Sequence, residues 1–243
     1  MTIIGSKPTS KLIDMLYSAF ETGQLVTTYT IGAPSNLTTV PVGPDTIDKK
    51  ALNIGCGTMP MVHPNWINAD VCPGESVDMV FDSQGQWPIE DGALSIIYAS
   101  HVIEHLDDPE AFFREAKRCL HPGGIVCIRV PHPLCGYATG IQDHKRPMSP
   151  EFFYSLEMNH EDTHNLQEQG RKKLFHTILF IHVIDPTNFL AKWWIPAKVK
   201  NWAVHHLFNI CQEFWVYLRP CSDDPVVSGA VAIRPFPRKA TAV

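Results

Sequence analysis

No stretch of this 243-residue sequence stays apolar long enough to cross a membrane. The most apolar later run, "TILFIHVIDP" at 177–186, is broken by His182, Asp185 and Pro186, far short of the roughly 20 residues a spanning helix needs. The opening "MTIIGSKPTSKLIDML" lacks the long apolar core behind a basic end that marks a signal peptide. The seven cysteines contain no C-x-x-C pair, are odd in number and sit in apolar surroundings such as "IGCG" and "IVCIRV"; they read as reduced thiols of a cytoplasmic protein. Positive charge is in deficit too. With a net charge of −5 and only the short basic patches "HKR" at 144–146 and "RKK" at 171–173, no nucleic-acid partner is expected. Internal repeats and low-complexity segments are also missing.

What is present suits a chain that buries a core. Hydrophobic residues make up 44% and charged residues 19%, ordinary for a globular α/β domain of this length. Leu12, Ile13, Leu16 and Phe20 predict an amphipathic helix over 8–22, and a Thr/Pro/Gly-rich connector follows to about Asp48. From 51 to 131, short apolar runs alternate with helical or loop stretches, the rhythm of a parallel sheet. The runs are "ALNI" (51–54), "WINADV" (66–71), "VDMVFD" (77–82), "LSIIYAS" (94–100) and "GIVCIRVP" (124–131). Between the last two, "DPEAFFREAKRCL" (108–120) predicts a helix begun by Asp-Pro and ended by "HPGG". Residues 132–211 are less regular and rich in histidine and tryptophan. At the end, "QEFWVYLRP" and "VVSGAVAIRP" joined by "CSDD" predict a hairpin with an antiparallel last strand.

The chemistry-bearing residues gather where these runs end. "LNIGCGTMP" closes its run on Gly55-x-Gly57, glycines that let backbone N–H groups approach a ligand. Asp70 ends the next run, where a doubly wound fold places an acid for ribose hydroxyls, and Asp82 ends the third. A dinucleotide is disfavoured. Pro60 stands where the third glycine of G-x-G-x-x-G would be, and Pro60 and Pro64 oppose the helix whose N-terminus a pyrophosphate needs. A zwitterionic amino-acid tail has no such need, since loop N–H groups can take its carboxylate.

In order and spacing, "ALNIGCG", "NADV", "FDSQGQWPIEDGALSIIYASHVIEHL" and "FFREAKRCLHPGGIVCIRVP" resemble class I S-adenosylmethionine-dependent methyltransferases, in particular the type 11-like branch with an "EHL" segment. The resemblance covers roughly 50–132. It implies a Rossmann-like, seven-stranded, mostly parallel sheet with an antiparallel last strand, and S-adenosyl-L-methionine as cofactor. By the same resemblance, Asn53, Gly55, Cys56 and Gly57 surround the methionine portion and Asp70 binds the ribose. Asp82 and Ser83 face the adenine, and Ala99, Ser100 and His101 lie beside the sulfonium methyl. The sequence departs from the family pattern at Asn53 (an acid is commoner), Met59 (often glycine) and Ser95 (usually aspartate). The implied organisation is an N-terminal helix and connector at 1–48, a methyltransferase domain at 49–235 with a substrate-side insert at about 132–211, and a tail at 236–243.

Two stretches imitate zinc-protease motifs. "HVIEH" (His101, Glu104, His105) matches H-x-x-E-H and "HEDTH" (His160, Glu161, His164) matches H-E-x-x-H. The first falls inside the methyltransferase register, with His101 and His105 expected to begin a helix directly after the strand "LSIIYAS", and the second lies in a polar segment without the apolar face that a zinc-protease helix shows. No metal is therefore expected, and a zinc hydrolase is the alternative activity.

For methyl transfer to a hydroxyl, a base must remove a proton, and histidine titrates near neutral pH. His101 and His144 are the catalytic candidates, with His105 behind them. The expected function is transfer to oxygen or nitrogen of a small molecule, sugar or glycan precursor; a non-catalytic cofactor-binding protein on the same fold is the rival. Trp193, Trp194 and Trp202, interspersed with Lys192, Lys198 and Lys200, suit core packing, a lid, a subunit face or peripheral contact with lipid headgroups through 188–202.

Overall fold

The computed structural model describes residues 2–4, 50–156, 173–184, 189–191 and 194–221. The expected helix at 8–22, the connector, "HEDTH", the run "VVSGAVAIRP" and the tail lie outside the described residues.

One eight-stranded sheet organises them: β1 (Thr2–Ile4), β2 (Lys50–Ile54), β3 (Trp66–Asp70), β4 (Met79–Val80), β5 (Leu94–Ser100), β6 (Leu120–Pro131), β7 (Phe175–Ile184) and β8 (Cys211–Pro220). Their spatial order is β1-β7-β8-β6-β5-β2-β3-β4. Strands β4, β3, β2, β5 and β6 pair in parallel, and β8 runs antiparallel to both β6 and β7. This is the expected seven-stranded, mostly parallel sheet with its antiparallel last strand, extended at one edge by β1, which pairs antiparallel with β7. Central strands covered on both faces need unbroken apolar runs. Accordingly Ala51 to Ile54 and Leu94 to Ile97 are buried throughout.

Helix α1 (Pro109–Cys119) forms as its sequence predicts. Asp108 caps it, accepting a hydrogen bond from the Ala111 N–H at 3.1 Å, with Pro109 at the first helical position. Its buried face, Phe112, Phe113, Ala116 and Cys119, packs into one core with Trp87, Phe153, Phe175 and Phe214. Three shorter helices follow: α2 (Gly136–Gly140), α3 (Pro150–Ser155) and α4 (Ala197–His206).

Helix α1 stops just before "HPGG", as expected, and "HPGG" lies within β6, where the register with β5 jumps from Leu94↔Leu120 to Ile96↔Ile125. Pro122 has no N–H for the ladder, and an irregularity absorbs it. Two expectations are corrected. The stretch 132–211 is not all insert, because it contributes β7. The hairpin partner of "QEFWVYLRP" is β7, since both edges of β8 are taken by β6 and β7. Core packing also fails for two tryptophans: Trp194 and Trp202 are each 54% exposed, while Lys200 between them is buried.

Candidate functional site

The strand order reverses direction around β2, with β3 on one side and β5 on the other. Ligands of open α/β sheets bind at the carboxyl edge at such a switch point, and the expected site residues converge there. Ile54 pairs with Ala99, so the glycine loop after β2 starts beside the end of β5. Gly55 adopts φ +68°, and a Cβ there would collide with the Val102 side chain. The glycine is needed both for its backbone and for the close approach of "YASHV". Gly57 has φ +48° with nothing within 4 Å of a notional Cβ, which leaves the loop backbone open to a ligand.

Asn53 behaves differently from a ligand-facing group. Its buried amide donates to Asn68 Oδ1 at 3.0 Å and to the Met59 carbonyl at 3.4 Å. Asn68 Oδ1 also accepts from the Met61 N–H at 2.8 Å, and its Nδ2 donates to Asp78 Oδ2 at 3.2 Å. The asparagine pair therefore shapes the loop over 57–61 from within. Cys56 is buried, and burial with the nearby Asp70 charge raises its thiol pKa, so it is a packed thiol rather than a nucleophile.

Asp70, the last residue of β3, accepts from the Gly57 N–H at 2.9 Å through Oδ2 and from the Cys72 N–H at 3.0 Å through Oδ1. Each carboxylate oxygen retains a lone pair for a further donor. Asp82 is exposed and accepts from the Gln84 N–H at 2.9 Å. Ser83 is buried, and its carbonyl accepts from Trp87 Nε1 at 3.0 Å. An open glycine loop, an acid at the end of β3 and a second acid after β4 fit S-adenosylmethionine: the loop would take its amino-acid tail and Asp70 its ribose.

At the end of β5, Ala99 is fully buried and Ser100 half-buried, and the chain turns sharply. His101 has φ +55°, the left-handed region that non-glycine residues rarely enter, and its N–H donates to the Arg129 carbonyl at 2.8 Å. Only a 3₁₀ turn, Ile103–His105, follows. The helix expected to begin at His101 is absent, and with it the one-turn histidine spacing of the protease motif. The His101 ring, 41% exposed, lies between Glu104 (Nδ1 to Oε1, 3.2 Å) and Glu213 (Nε2 to Oε2, 3.4 Å). Glu104 and Glu213 together raise its pKa to about 9. It is therefore an imidazolium at neutral pH, not the neutral base with an unperturbed value that the sequence led us to expect.

Glu213 completes the cluster. Its Oε2 accepts from Arg129 Nε at 2.7 Å and its Oε1 from Trp215 Nε1 at 3.1 Å. Burial works to raise its pKa, but the hydrogen bonds from His101, Arg129 and Trp215 prevail and hold it at about 2. Sequence reading passed over Glu213 and Arg129. The available signal was an acid and a base in runs otherwise apolar or aromatic, "QEFWVYLRP" and "IVCIRVP". His144 lies next to His105, their rings 4.7 Å apart edge to face.

The family described as "Methyltransferase domain" matches residues 43–176, more than half of the chain. No curated protein matches the chain. Among solved structures, an S-adenosylmethionine-dependent methyltransferase from Archaeoglobus fulgidus aligns at 18% identity with a TM-score of 0.44, covering 70% of this chain and 86% of that one. The YcgJ protein from Bacillus subtilis aligns at 14% identity with a TM-score of 0.45, covering 72% and 93%. One from Mesorhizobium loti, also S-adenosylmethionine dependent, aligns at 11% with a TM-score of 0.44, covering 70% and 90%. The glycine loop, the strand-end acids and the matched domain place this chain in the class I S-adenosylmethionine-dependent methyltransferase family.

Proposed function

We propose that the chain methylates an oxygen or nitrogen of a small molecule, a sugar or a glycan precursor. The observation that carries this reading is the polar face beside the end of β5: His101 between Glu104 and Glu213, with His105 and His144 beyond. Such a face matches an acceptor that hydrogen-bonds through a heteroatom better than an apolar carbon. S-adenosylmethionine supplies an activated methyl on a sulfonium, with a thioether as leaving group. The protein's share is chiefly alignment, holding the acceptor atom in line with that methyl while the acceptor's proton passes to solvent.

In this reading Asp70 takes the ribose hydroxyls, the glycine loop at Gly55 to Gly57 gives the amino-acid tail room to lie against its backbone, and Asp82 with Ser83 flanks the adenine. His101 orients the acceptor, its ring held by Glu213 at Nε2 and paired in charge with Glu104. The test is a methyl-release assay across hydroxyl- and amine-bearing metabolites, run with wild type and His101→Gln. Turnover on at least one acceptor, reduced about a hundredfold or more in His101→Gln, supports the assignment. Tight cofactor binding with no turnover on any acceptor would leave the non-catalytic binding protein as the better reading.

A further inference from the structure

We propose that Glu104, His105 and His144 form a binding site for one divalent transition-metal ion beside the methyl-transfer edge. One donor atom from each of the three side chains lies within 4.8 Å of one from each of the others. They come from separate pieces of chain: the 3₁₀ turn after β5 supplies Glu104 and His105, and the loop after α2 supplies His144. Backbone hydrogen bonding ties the pieces together, as the Lys145 N–H donates to the Glu104 carbonyl at 2.8 Å.

Both histidines are set up as ligands. His144 Nδ1 lies 3.4 Å from the Ala138 carbonyl, and His105 Nδ1 lies 3.2 Å from the Asp143 carbonyl and 3.4 Å from its carboxylate. A carbonyl oxygen only accepts, so each ring carries its proton on Nδ1. That leaves Nε2 with a free lone pair, the arrangement in which an outer-shell oxygen orients a metal-bound imidazole. Glu104 supplies an independent sign. Its side chain is 1% exposed, yet neither carboxylate oxygen has a hydrogen bond among the described residues. His101 Nδ1 at 3.2 Å is close to Oε1 without hydrogen-bond alignment. A buried carboxylate that lacks hydrogen bonds is costly even beside the His101 imidazolium, and a metal ion bound to it would offset the remaining cost.

Two imidazoles and one carboxylate suit Zn(II), Fe(II), Mn(II) or Co(II) better than Mg(II) or Ca(II), which favour all-oxygen ligands. Three protein ligands leave coordination positions open. His105 and His144 are only half-buried, so an oxygen of the acceptor can reach those positions. That consequence rests on the proposed methyl transfer; the metal site itself does not. A second histidine–cysteine group, His132, His182 and Cys211, lacks the same preparation. His132 Nδ1 accepts from the Leu134 N–H at 3.2 Å, and the Cys211 thiol donates to the Glu213 carbonyl at 3.0 Å.

The test uses the full chain stripped with chelator and titrated calorimetrically with Zn(II), Mn(II) and Co(II). Visible absorption of the Co(II) form reports the ligand set. One ion per chain is expected. Affinity should fall more than about a hundredfold in Glu104→Gln and in His144→Ala, and about tenfold in Asp143→Ala, the order of an outer-shell change. His132→Gln should leave both affinity and spectrum unchanged. No binding, or binding indifferent to both Glu104→Gln and His144→Ala, overturns the site. Titration of the same preparations with S-adenosylmethionine separates the claims: cation binding without cofactor binding refutes the methyl-transfer reading and leaves this one standing.

Discussion

Gly55 and Glu213 show how single residues hold the site and how unevenly they could be read. Gly55 was legible because a strand followed by G-x-G has a physical reason for its glycines. Its second reason, the approach of Val102, depends on a contact across 47 positions of chain that local pattern does not encode. Gly55→Ala should lower stability by about 1–2 kcal/mol through the left-handed backbone alone, with more from the Val102 contact; urea unfolding measures it. Asn53 was legible as a loop residue, but its buried bond to Asn68 was not, because the two asparagines meet only when β2 and β3 pair. Glu213 carries a pH signature. Its folded pKa of about 2 lies below the unfolded value of 4.5, so its stabilisation is complete above about pH 5 and is lost as pH falls toward 2. Thermal unfolding should therefore show wild type losing more stability than Glu213→Gln between pH 6 and pH 3. Equal losses would remove Glu213 as a stabilising carboxylate.

Among elements, α1 was the most legible, since its cap, its first-turn proline and its apolar face all lie within one window. Asp108→Ala should cost about 1 kcal/mol, which lowers Tm by about 2–4 °C for a domain of this size; a calorimetric scan decides it. The parallel strands β2, β3, β5 and β6 were equally plain, because strands buried on both faces must be apolar throughout. The pairing of β8 was not. Its neighbours β6 and β7 lie far away in sequence, whereas the apolar run at 226–235 lies next to it in the chain and drew the pairing expected from local pattern. The segment after β5 was misjudged for a related reason. "HVIEH" has helical spacing, but the turn forced at His101, with its positive φ, allows only a 3₁₀ turn before α1.

For the whole molecule, the switch point around β2 gathers residues from five strand ends into one edge, and the account stands or falls on that edge holding S-adenosylmethionine. The parallel rhythm and the strand-end acids made the cofactor edge legible from sequence. The proposed acceptor side, with Glu213 on β8 and His144 on a loop, was not, because its members come from distant stretches of chain. The most direct measurement is a calorimetric titration of the full chain with S-adenosylmethionine, repeated on Asp70→Ala. Asp70 is expected to accept two charge-assisted hydrogen bonds from the ribose, together about 3 kcal/mol. The account therefore predicts one cofactor per chain, with affinity reduced about a hundredfold in the variant. Absence of binding to wild type, or equal affinity in Asp70→Ala, would contradict it.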